Sequence, residues 1–344
     1  VSSLCREYLE SADSPQHGRE RERAAEAIDL LLEHHPTVTV ADFGPNDLRA
    51  WQAWLCGLKN ADDPDRTRFN VTSVNYMVDV IRRVFAWGVS TERVAEGKLV
   101  ALRTVPRPKP GEARPPRIVE PADPEAVKKT LPYLRPPVRA MVVLQLTTGA
   151  RPGELCKMKA GDVTRAGKLH IPGAGVQDLD KLEVWAYVPS KHKLTWKGKP
   201  RFLLFAPDAQ RVLAPFLDRD AAAYCFSPRE STDGLRAEQR AARKSKVQPS
   251  QANRKKVNPQ KQPGLQYNHR SYNQAVRKAC VKAGVAHWFP YQLRHLAAAE
   301  VKAVFGLDAV QALLGHHTRT MAEHYGGVAV RTAAEVAKKR AGSN

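Results

Sequence analysis

Cysteine is sparse and unpaired in this sequence: Cys5, Cys56, Cys156, Cys225 and Cys280 lie far apart, and none belongs to a C-x-x-C pair. That spacing encodes neither a zinc ribbon nor a disulfide framework, and it points to a reducing compartment. Long apolar runs are missing too. No stretch approaches the roughly 20 residues that span a bilayer, and the N-terminal region lacks the apolar core of a signal peptide. Acidic residues are in short supply: 35 Asp and Glu face 55 Lys and Arg, which leaves a formal charge of +20. A protein handling small neutral metabolites has no need of such a field, whereas a polyanion, most often nucleic acid, complements it. These absences predict a cytoplasmic, nucleoid-associated protein with no membrane partner.

At 344 residues and 42% hydrophobic content, the chain is long enough for two cores. Residues 1–103 read as helical. "RAAEAIDLLLEHH" has helical rhythm, and "SVNYMVDVIRRVFAWGV" places Val74, Val78, Ile81 and Phe85 on one face. Arg82 and Arg83 interrupt that stripe, either as a solvated face or as phosphate contacts. Residues 104–121 are dense in proline and basic residues, a composition that favours extended backbone and reads as a linker. From 122 to 344 the pattern is mixed. "PPVRAMVVLQLTTG" is an apolar helix stopped by Gly149, and "RPGELCKMKAGDV" opens a second with Pro152 in its first turn. "LEVWAYVP" and "RFLLFAP" read as two strands of a hairpin whose polar tip carries Lys191, Lys193 and Lys197. A strongly basic run over about 229–261, with Arg243, Lys244, Arg254, Lys255 and Lys256, reads as a flexible insertion facing DNA or as a solubilising loop. Three helices follow: "SYNQAVRKACVKAG", then "YQLRHLAAAEVKAVFG" with Leu293, Ala297, Val301 and Val304 on one face, then "LDAVQALLG" ended by Gly315. The fold class expected is mostly α with a small β-sheet or hairpin, that is, α+β.

Three polar residues resist explanation by solvation. Arg151 follows a helix-ending glycine, Arg294 adjoins Leu293 on a core-packed helix, and His316 is held between "LLG" and a further helix. An unpaired charge is expensive in such places. A phosphodiester fits the planar fork of two arginines, while ion pairs with Glu154 or Glu300 would serve each arginine singly.

Taken in order, "TTGARPGEL", the lysine-bearing hairpin, "PYQLRH", "LLGHH" and Tyr325, nine positions after His316, resemble the tyrosine recombinase family of phage-integrase type. The resemblance covers nearly the whole chain. It implies a helical core-binding, SAM-like DNA-binding domain followed by a tyrosine-recombinase-type catalytic domain. Arg151 and Arg294 would clamp the scissile phosphate, Lys193 would protonate the leaving 5′ oxygen, and His316 would hydrogen-bond the phosphate. Tyr325 would be the nucleophile and Glu154 the carboxylate that holds the first arginine. Lys191 and Lys197 compete with Lys193 for the hairpin role. No metal and no cofactor is then called for, and the histidines at 316, 317 and 324 need not form a zinc site.

One position departs from the family pattern. Tyr291 stands where histidine or lysine is usual, and its hydroxyl can donate a hydrogen bond but carries no positive charge near neutral pH. His295 or His287 could share that task. The expected partner is double-stranded DNA, with four protomers on two sites, weakly associated without DNA, and with accessory DNA-bending factors as further candidates. The alternatives are a catalytically weakened DNA-binding relic or accessory protein and a type IB topoisomerase-like enzyme.

Overall fold

The computed structural model describes residues 1–171, 175–189, 201–248 and 262–315. The chain divides into two compact units, Val1–Ile118 and Val119–Asn344.

In the first unit, helices α1 (Ser2–Glu10), α2 (Gly18–His34), α3 (Pro45–Gly57), α4 (Val71–Ser90) and α5 (Glu96–Arg103) enclose one core. Asn70 starts α4 by accepting the Ser73 amide at 2.9 Å, and the stripe expected from periodicity, Val74, Val78, Ile81 and Phe85, is buried. Phe43 stacks on Phe85 with ring centroids 5.4 Å apart, while Trp51 donates its indole N–H to Leu30. A short antiparallel hairpin, β1 (Lys59–Asn60) with β2 (Asp63–Thr67), interrupts the helices. Its Asp-Pro-Asp composition gives no strand signal. The proline-rich stretch after α5 packs on this unit: Val105 and Ala113 enter its core, and the Val71 amide donates to Arg114 at 2.8 Å.

The second unit contains α6 (Pro124–Thr130), α7 (Pro136–Thr148), α8 (Pro152–Lys157), β3 (Val163–Thr164), β4 (Lys168–Ile171), β5 (Gly175–Asp178), β6 (Trp185–Tyr187) and β7 (Leu203–Phe205). It continues with α9 (Pro207–Leu213), α10 (Pro228–Ala241), α11 (His269–Ala283) and α12 (Pro290–Leu314), the last broken at Gly306. The break divides α12 where the sequence predicts two helices. Strands β3, β6 and β7 form an antiparallel sheet in that order, with Tyr187 opposite Leu203 and Trp185 opposite Phe205, so the expected hairpin is present. β4 and β5 pair separately. Helix α7 is apolar nearly all round and lies in the middle of the core, with Met141 and Leu144 against a shell that includes Leu155, Phe205, Tyr272 and Leu293.

Two expectations need correction. The basic run is not flexible over its first part: residues 228–241 form α10, because Ser227 caps the start, Pro228 sits in the first turn, and Arg, Ala, Glu and Gln favour helix. Arg135 fixes this helix through two hydrogen bonds to Glu238 of 2.7 and 2.9 Å, and Arg219 pairs with Glu230 at 2.7 Å. Val304, placed by periodicity on the packed face of α12, is 73% exposed in the last turn before Gly306. Among the described residues, no helix is long and apolar enough to cross a membrane.

Candidate active site

The turn from α7 to α8 positions the first candidate residue. Gly149 adopts a left-handed conformation (φ 61°) that ends α7, its amide donating to Gln145 at 2.8 Å. Pro152 then starts α8 only two residues past Ala150, so Arg151 falls at the helix N-cap. Glu154, in the first turn, reaches back with Oε2 to accept the Arg151 amide at 2.8 Å, while Oε1 accepts from the Arg151 guanidinium at 2.9 Å. Buried Gln145 braces the turn from below. Its side-chain amide donates to the carbonyls of Ala150 and Pro290, and its oxygen accepts from the Tyr272 hydroxyl at 2.8 Å.

Glu154 has a second partner. Arg201, at the foot of the hairpin, is 4% exposed and forms a two-pronged pair with both Glu154 oxygens, each at 2.9 Å. Burial on its own would raise the Glu154 carboxyl, but the Arg201 hydrogen bonds and charge, with Arg151 behind them, prevail and hold it down at about 2. It is therefore a carboxylate throughout the physiological range.

Arg151 borders a cleft of about 530 Å³ that is also lined by Lys157, Tyr187, Tyr267, His269 and Tyr291. Tyr291 stands in the first turn of α12, its ring edge-on to His295 with centroids 5.3 Å apart. His269 opens α11 and lies so close to Gly153 that a β-carbon there would sit 3.0 Å from its Nε2. Arg294, the second expected arginine, is fully buried beneath this region. It donates to the carbonyls of Gly149 at 2.5 Å and Leu314 at 2.8 Å, so it ties the turn carrying Arg151 to the end of α12. His295 is buried beside it.

The remaining candidates divide three ways. Lys191, Lys193, Lys197, Arg254, Lys255, Lys256, His316 and Tyr325 lie outside the described residues. Arg243 and Lys244 are exposed just past the end of α10. Arg82 is engaged within the first unit, donating to the carbonyls of Leu102 and Val105 and pairing with Asp79 at 3.1 Å, whereas Arg83 is more open and lies 3.9 Å from Glu20. Among the described residues no three His, Cys, Asp or Glu side chains are grouped as metal ligands.

Sequence reasoning missed Arg201, Gln145 and His269. Only Arg201 leaves a signal, as a charge directly before the apolar strand "FLLF", where an inward-facing arginine demands a buried acid.

Residues 228–331 match the family model described as the phage integrase family. Over that stretch the chain is similar to the phage integrase family. No curated protein sequence matches it. Solved structures share its fold over almost its full length. The Tn1549 transposon integrase in complex with transposon right end DNA superposes with a TM-score of 0.56 at 12% identity, covering 98% of each chain. A lambda integrase dimer bound to a COC' core site gives 0.57 at 14%, covering 96% of each. A lambda integrase tetramer bound to a Holliday junction gives 0.53 at 14%, covering 95% of this chain and 78% of that one. The integrase family model begins within the first residues of α10, so it includes the helix that replaces the expected flexible run.

Proposed function

We propose that this protein is a recombinase of the integrase type that cleaves and rejoins duplex DNA through a 3′-phosphotyrosyl intermediate, with Arg151, Lys193, Arg294, His316 and Tyr325 as its working residues. Arg151 carries the reading: a guanidinium held by a buried carboxylate and facing an open cleft is a preorganised cation. Charge grows on a phosphodiester during nucleophilic attack, and fixed cations of this kind stabilise it without reorganising. In the proposed step the Tyr325 oxygen attacks phosphorus, the bond to the 5′ oxygen breaks, and that oxygen takes a proton from Lys193. The reverse attack by a 5′-hydroxyl restores the diester and releases Tyr325. A free tyrosine hydroxyl has a pKa near 10, so nearby cations are needed to favour its phenolate. Arg294 contributes from beneath, by holding the Gly149 turn and the end of α12 together.

The partner in this proposal is double-stranded DNA, and the assembly is four protomers on two sites, with accessory DNA-bending factors assisting. The solved DNA complexes of Tn1549 and lambda integrases, which share the fold, support DNA as the partner, and the lambda integrase tetramer on a Holliday junction supports an assembly of four. The test is a nicked suicide duplex pool carrying candidate sites, incubated with the protein in EDTA and resolved on a denaturing gel. A protein–DNA adduct that disappears in Tyr325→Phe, while that variant still shifts the pool, is the expected result. An adduct that persists in Tyr325→Phe overturns the nucleophile assignment, and binding without any adduct favours the accessory or weakened reading.

A further inference from the structure

We infer that Arg201 is a positioning residue of the strand-cleavage site, which acts through Glu154 to keep the charge of Arg151 available to a phosphate. This rests on the reading of Arg151 as a phosphate ligand. Glu154 receives four donated hydrogen bonds: two from Arg201, each 2.9 Å, one from the Arg151 guanidinium at 2.9 Å and one from the Arg151 amide at 2.8 Å. The two arginines differ in access, for the Arg201 side chain is 3% exposed and that of Arg151 is 26% exposed. One carboxylate therefore sits between two guanidiniums, and the surplus positive charge of this cluster emerges at the member that borders the cleft.

Charge balance shows what Arg201 is for. A lone Glu154–Arg151 pair would be neutral and would attract a phosphodiester weakly. A guanidinium fixed by a carboxylate is well placed but electrically cancelled, and the second arginine removes the cancellation while leaving the placement. Arg201 also reaches the other side of the site. Its Nη1 lies 3.4 Å from the carbonyl of Leu313 and 3.0 Å from where a β-carbon on Gly315 would sit. The foot of the hairpin, the Arg151 turn and the end of α12 therefore meet on one side chain.

The experiment measures single-turnover adduct formation at saturating protein, on the nicked duplex identified with the suicide pool, together with DNA affinity by gel shift and folding by circular dichroism. The variants are Arg151→Ala, Arg201→Met, Arg201→Lys and the double variant Glu154→Gln with Arg201→Met. Arg201→Met is expected to cleave about a hundredfold more slowly with affinity changed by less than about threefold, since one effective cation is lost from the reacting phosphate. The double variant restores a net charge of one on Arg151 and is expected to recover at least about tenfold of that loss, a gain that a merely structural role for Arg201 would not produce. Arg201→Lys, which keeps the charge but not the fork, should lie between wild type and Arg201→Met. Wild-type cleavage by Arg201→Met, or a double variant no faster than Arg201→Met, overturns the inference. If Arg201→Met does not fold, the double variant and Arg201→Lys decide: both cleaving at no more than about a hundredth of the wild-type rate while folded overturns it. Undiminished cleavage by Arg151→Ala overturns instead the reading of the site on which the inference stands.

Discussion

Gly149 lies directly against Leu314: a β-carbon on Gly149 would collide with Cδ2 of that leucine, and both residues offer their carbonyls to Arg294. The C-terminal ends of α7 and α12 are thereby joined at one point, between the turn that leads to Arg151 and the left-handed Gly315 that ends α12. Gly149→Ala combines two penalties, a left-handed backbone that a side chain disfavours by about 1–2 kcal/mol and an overpacked contact that costs about 1–3 kcal/mol. Urea unfolding followed by circular dichroism should show a loss of about 2–5 kcal/mol. Adduct formation should fall as well, because the collision displaces the end of α12.

Glu154→Ala leaves Arg201 buried without its acid and Arg151 without its anchor. Removing one member of a buried ion pair typically costs about 3–5 kcal/mol, because the remaining charge stays desolvated. The expected outcome is a variant with a sharply lowered urea midpoint. An unchanged midpoint would mean that water solvates Arg201 and that the site is less closed than its 4% exposure indicates.

Acid should undo the same cluster. The Glu154 carboxyl is held at about 2 against an ordinary 4.5, so its folded-state value is depressed. Stability from such a group is fully present above the unfolded value and is lost as pH falls through the folded one. The stability it supplies, on the order of 3 kcal/mol at neutral pH by the size of that shift, should therefore disappear between about pH 4.5 and pH 2. Urea midpoints measured across this window should fall more steeply for the wild type than for Glu154→Gln, which has no carboxyl to titrate.

Much of this site can be read from the sequence where a local signal suffices. Gly149 and Pro152 punctuate two helices three residues apart, and that punctuation alone puts Arg151 at a helix start with Glu154 one turn on. The hairpin follows from β-branched and aromatic strands around a glycine-containing tip. Arg201 is different, because its partner is 47 positions earlier and no periodicity links a strand foot to a helix start across that separation. The helix at 228–241 was obscured for another reason: its charge suggests solvation, and its helix-forming side chains and the Ser227 cap outweigh that suggestion once Arg135 and Arg219 supply salt bridges. Arg294 was legible as a buried cation but not in its partners, which include the backbone carbonyls of Gly149 and Leu314 at two helix ends.

Tyr291 offers a direct test of the proposed chemistry. It borders the cleft with Arg151 and packs edge-on against His295, so a smaller ring at this position keeps the α12 start and the neighbouring contact. The tyrosine hydroxyl can donate one hydrogen bond to a phosphate oxygen but never carries a positive charge, whereas an imidazole with an ordinary pKa near 6.5 becomes a cation on the acid side of neutrality. Tyr291→His should therefore speed single-turnover adduct formation, and the ratio of its rate to that of the wild type should climb as pH falls from 8 to 6. Tyr291→Phe, which retains the ring and loses the donor, should slow the step by about tenfold or less, the equivalent of one neutral hydrogen bond of about 0.5–1.5 kcal/mol. A ratio for Tyr291→His that stays flat across this pH range would mean that position 291 does not face the reacting phosphate, and the missing charge would then have to come from another side of the cleft, where His269 stands.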